Sequence, residues 1–130
     1  MNIYFLIAGI LCVLLGVVHS ILGEYLIFHP KREKGKLVPT KTNPGLRERH
    51  LRIIWATWHL ASFFGWCIGA FLVKIAMAPT TLDTAFTNFM ITVAAITMFA
   101  SSGLVLLGTK GKHPGWIVLL VIAILLVIGS

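Results

Sequence analysis

From Ile3 to Val18 the chain carries no charged residue, and apolar side chains dominate as far as Phe28. Three further runs follow: Ile53 to Val73 and Phe86 to Leu107, both free of charge, and Trp116 to Gly129, almost purely aliphatic. No alternating strand pattern competes with them. A bilayer core takes about 20 apolar residues per helix, and backbone inside it must close its own hydrogen bonds. The pattern therefore predicts an all-α, four-transmembrane-helix bundle forming a single domain over residues 1–130. Its spans are expected at about 3–28, 51–74, 85–108 and 115–130, joined on one side by loops 29–50 and 109–114.

Composition sharpens this picture. Of the 130 residues, 58% are hydrophobic and 12% charged, more apolar surface than a soluble domain of this size can cover. The net charge of +7 is concentrated, because eight of the eleven Lys and Arg residues lie between Lys31 and Arg52. Lys110 and Lys112 sit between the third and fourth runs, and only Lys74, near Asp83, marks the opposite side. The positive-inside rule places both basic loops in the cytoplasm and both termini outside, here across a bacterial inner membrane. Basic residues beside membrane spans set topology and touch anionic lipid headgroups, so the expected partner of loop 29–50 is the bilayer surface and not nucleic acid. The N-terminus lacks the basic region and cleavage site of a secretory leader and reads as a retained first span. Cys12 and Cys67 both fall inside spans, which gives no disulfide framework.

The chemistry is concentrated where the first span leaves the membrane. His19, Ser20 and Glu24 interrupt an otherwise apolar helix. If His29 and His50 mark the cytoplasmic interface, helical rise puts His19 and His59 at nearly one depth, roughly 14 Å inside. Ser101 and Ser102 reach that level on the third span, and the fourth offers only Leu and Ile, as an apolar cover. Gly9, Cys12, Gly16, His19 and Gly23 share one face of the first helix; Arg52, Trp55, Ala56, His59, Ser62 and Trp66 share one face of the second. Both histidines are thus expected to face the bundle interior, since an ionisable group facing lipid is costly. Glu24 is expected to pair with Arg52.

Imidazoles on facing helices at equal depth can ligate haem iron or another transition metal. The sequence-based expectation is a site either for haem b, held axially by His19 and His59, or for a divalent transition metal ligated by His19, His59 and Glu24. Gly16 and Gly23 would admit the porphyrin, Arg49 and Arg52 would meet its propionates, and Ser20, Ser62 and Ser101 would support the ligands. No CxxCH or HExxH motif reinforces it. The alternative is that these residues are interhelical glue, in an accessory or packing subunit of a larger membrane complex or homo-oligomer. Proton passage has less support, because no polar path continues through the outer half. Trp55, Trp58 and Trp66 read as packing and interface anchors.

At "HSILGE" (19–24), "LRIIWATWHLAS" (51–62) and "KHPGW" (112–116) the chain resembles a group of small bacterial four-helix integral membrane proteins with no established activity. That likeness implies the fold and no chemistry. At "ERHLR" (48–52) it is similar to the membrane-associated eicosanoid and glutathione metabolism proteins, which implies a trimeric four-helix glutathione-type transferase. Ile53 and Ile54 depart from that family's Ala-His.

Overall fold

Asn2 opens the first helix in the computed structural model, which describes residues 1–77 and 83–130. Its side-chain oxygen accepts from the backbone N–H groups of Tyr4 and Phe5 at 3.1 and 3.3 Å, satisfying two donors with no partner inside the helix. Its amide nitrogens do the converse at two other helix ends: Nδ2 donates to Gly129 O at 2.8 Å, and the backbone N–H donates to Ala76 O at 3.0 Å. One asparagine thus ties the start of one helix to the ends of two.

α1 runs over Ile3–Gly23 and continues through a π-helical turn, Glu24–Phe28, and a 3-10 turn, His29–Lys31. α2 is Glu48–Met77, α3 is Thr84–Thr109 and α4 is Gly115–Gly129. The elements match the four apolar runs, with α2 starting three residues before its expected span and ending three after it. Asp83 caps α3 by accepting from Phe86 N at 2.7 Å. α3 stops where Lys110 and Gly111 both turn left-handed, at φ 52° and 73°, and Pro114 leads into α4. Among the described residues there is no strand.

Among the described residues three helices are long and apolar enough to cross a membrane: Ile3–Lys31 with its terminal turns, α2 and α3. α4, at 15 residues, is shorter than a full crossing needs. Large apolar side chains project outward from all of them, including Phe63, Phe64, Phe89, Leu104 and Leu107. Such exposure is untenable in water and ordinary in lipid: the chain is an integral membrane protein.

The helices pack in the order α2, α1, α4, α3. The α1–α2 seam rests on glycine. Gly9 and Gly69 meet so closely that a Cβ on Gly9 would lie 2.9 Å from Gly69 O and 3.1 Å from Val73 N. The expected glycine face of α1 is real, with Gly9, Cys12, Gly16 and Gly23 all buried. The fourth helix differs from its expected role as a cover. It lies between α1 and α3, and Ile122, Ala123 and Leu126 are fully buried against Phe5, Ala8, Ile91 and Ala95. A helix apolar on every side can be a centre as well as a lid, and hydropathy alone does not choose. Ser102 joins α3 to α4 by donating to Trp116 O at 2.8 Å. α2 and α3 are not packed together, and that seam opens into a cavity.

Candidate functional site

The basic end of the α1–α2 pair holds a polar cluster. Ser20 Oγ lies 2.7 Å from His59 Nδ1, and His59 Nε2 lies 3.5 Å from Glu24 Oε2. Trp55 Nε1 donates to that same carboxylate oxygen at 3.1 Å, and Arg32 forms an ion pair with the other. Ser20 and Glu24 are one turn apart on α1, so both meet His59 from α2. Arg32 reaches Glu24 from the end of the same helical segment, which the chain leaves after Lys31. The π turn, Pro30 in the 3-10 turn, and donation from Thr40 N and Lys41 N to Lys31 O at 3.0 and 2.9 Å fold the basic segment back on the helix end.

This corrects the expected Glu24–Arg52 pair. Arg52 instead faces Glu48, one turn earlier on its own helix, at 3.6 Å in an exposed position. Arg49 is also exposed in the first turn of α2 and makes no ion pair among the described residues. In the loop, the Lys36 ammonium beside Glu33 holds that carboxyl below its ordinary range.

The two central histidines take different environments. His59 sits in the polar cluster, edge-on to Trp55. His19 stacks flat on the indole of Trp58, with centroids 4.2 Å apart and planes 7° apart. Trp58 Nε1 donates to His19 O at 2.9 Å, and its ring meets Phe28 edge-on. Of the expected ligand set the structure brings together His59 and Glu24, and it sets His19 against the indole. Among the described residues no group of three or more His, Cys, Asp or Glu is placed to hold a metal ion. The expected porphyrin spaces on α1 are also filled. A Cβ on Gly23 would fall into the Trp58 indole, and one on Gly16 would lie 2.6 Å from Trp66 Nε1.

His19 faces a cavity of about 520 Å³ lined by all four helices. Its walls are mostly apolar, with Leu15, Ile68, Met98, Val105, Leu119 and Ile122 among them. Its polar lining is small: Ser62, Thr97, Ser101, Thr109, His113 and the His19–Trp58 stack. Among the described residues no Asp, Glu, Lys or Arg lines it. Ser101 and His19 both line this cavity, and His59 does not. Ser62 is buried, at 2% exposure, and its hydroxyl has no hydrogen-bond partner among the described residues. His113, exposed at the start of α4, stands where the cavity meets the basic end.

Arg32, Trp58 and His113 are the site residues that sequence reasoning missed. Arg32 lay in a segment read as solvated loop, and His113 lay in a turn beside a proline. The spacing of Trp58 did carry a signal, since an indole opposite Gly23 at the matching depth is what fills a glycine notch. No family model, curated protein or solved structure matches the chain.

Proposed function

We propose that this membrane protein binds a small apolar molecule drawn from the bilayer, in the cavity between α2 and α3 near the basic end. The observation that carries the reading is Ser62. A buried hydroxyl with no partner costs roughly 1–3 kcal/mol, and it sits on the wall of a cavity of ordinary ligand-site size. The open α2–α3 seam gives a membrane-dissolved molecule a lateral way in. The polar cluster of Ser20, Glu24, Arg32, Trp55 and His59 closes the α1–α2 pair beside it and holds that wall in place.

Haem is the alternative occupant of the same cavity. His19 is the one imidazole of the expected ligand set that lines the cavity, so a haem here would depend on His19 and not on His59. The test is one preparation examined two ways. Protein purified in mild detergent is extracted for mass spectrometry, and its absorption spectrum and metal content are recorded. A neutral organic molecule at near-stoichiometric amount, absent from Ser101→Phe protein that elutes normally, supports the binding reading. A Soret band lost in His19→Ala and kept in His59→Ala would instead mean that haem, not a neutral molecule, occupies the cavity. An empty cavity in every preparation, with Ser101→Phe as stable as wild type, leaves the accessory-subunit reading in its place.

Orientation belongs to the same proposal. Lys31, Lys34, Lys41, Arg47 and Arg49 form no ion pair among the described residues, so they are available to anionic headgroups on the cytoplasmic face. The start of α1 and the ends of α2 and α4 meet at the opposite end through Asn2. A reporter fused after Ser130 is expected to be active only outside the cytoplasm. Cytoplasmic activity would show that α4 does not cross.

A further inference from the structure

We infer that the cavity's ligand is a neutral, carbonyl-bearing lipid-soluble molecule, which enters with its oxygen toward α2 and is held by hydrogen-bond donors. This rests on the cavity-binding reading above and adds the ligand's chemistry to it.

Ser62 lines the cavity from α2, and among the described residues its buried hydroxyl has no partner, so it has a proton to offer an acceptor. At the mouth, Gly115 N donates to His113 Nδ1 at 3.1 Å. A neutral imidazole that accepts at Nδ1 carries its proton on Nε2, so His113 also has a donor to offer. One donor on the inner wall and one at the entrance are thus open to an acceptor brought by a ligand.

Charge narrows the class further. With no acidic or basic residue other than imidazole in the lining, an ionised ligand would be desolvated without a counter-ion. A neutral molecule with an apolar body and carbonyl oxygens satisfies the donors and fills the aliphatic walls. Two bilayer components carry that chemistry: the ring carbonyls of a quinone and the ester carbonyls of a neutral acylglycerol. A pair of trapped waters could also occupy the donors, and the experiment separates that case.

Thermal unfolding in detergent is followed with a short-chain benzoquinone, with a diacylglycerol, and with a long-chain hydrocarbon of similar size that has no oxygen. The carbonyl compounds are expected to raise the melting temperature at concentrations where the hydrocarbon does not, and the stronger of the two identifies the source. Ser62→Ala should weaken that binding about 3–10-fold, the worth of one hydrogen bond, without changing hydrocarbon binding. If hydrocarbon and carbonyl compounds stabilise equally and Ser62→Ala binds as wild type, the carbonyl inference is wrong and the cavity reading stands. If none of the three shifts the melting temperature and none competes with a co-purified molecule, the cavity reading itself fails.

Discussion

Gly23→Ala should destabilise the protein by about 3 kcal/mol, a large effect for one methyl group. The added Cβ falls inside the indole of Trp58. That ring has little freedom to yield: it is stacked on His19 at 4.2 Å, edge-on to Phe28 at 5.8 Å, and anchored by donation from Nε1 to His19 O at 2.9 Å. Accommodating the methyl means breaking that anchor or prising α1 from α2. Gly103→Ala and Gly108→Ala are the controls. A Cβ at either meets nothing within 4 Å, and alanine's helix propensity favours each change by up to about 1 kcal/mol. Trp58→Leu should make Gly23→Ala much less harmful, so the two losses should not add. Thermal unfolding in detergent measures all of these. If Gly23→Ala is as quiet as Gly103→Ala, the indole does not occupy the notch and the wall between His19 and His59 is not built this way.

The glycines also show what the sequence could convey. Hydropathy was enough for the helices, because a run of about 20 apolar residues in a bilayer has one conformational solution. Three-and-four spacing was enough for the buried face of α1, and the two residues that helical rise set at one depth, His19 and Ser101, both line the cavity. What spacing did not reveal was which way each residue turns within the interface. His19 and His59 share a depth, yet one stacks on Trp58 beside the cavity while the other bonds to Ser20 and Glu24. A few tens of degrees of helix rotation decides between these, and rotation is set by side-chain fit. The same holds for the notches at Gly16 and Gly23. A glycine announces a close approach, and whether a porphyrin or an indole makes it depends on the opposite helix. The order α2, α1, α4, α3 was likewise hidden, because four apolar helices can be ordered several ways and α4 has no polar stripe to orient it.

Glu24 is where local chain geometry overrode a sound general argument, and it supplies the second large expected effect. Read along two ideal antiparallel helices, Arg52 is its natural partner. The π turn at Glu24–Phe28 and the 3-10 turn after it bring Arg32 there first, and α2 begins early enough to give Arg52 its own partner in Glu48. The two pairings differ sharply in consequence. Removing one member of a fully buried pair costs about 3–5 kcal/mol; here the side chains are 20% and 31% exposed, so Glu24→Gln and Arg32→Gln should each cost about 2 kcal/mol. Glu24→Gln also weakens the acceptor for Trp55 and removes the charge facing His59. Arg52→Gln, breaking an exposed pair at 3.6 Å, should stay within about 0.5 kcal/mol of wild type. In double-mutant cycles, Glu24 and Arg32 should couple by at least about 1 kcal/mol, while Glu24 and Arg52 should add. Coupling between Glu24 and Arg52, with additivity between Glu24 and Arg32, would mean that the turns from Glu24 to Lys31 do not carry Arg32 to Glu24. The polar cluster that holds the cavity's neighbouring wall would then have to be rebuilt around the other arginine.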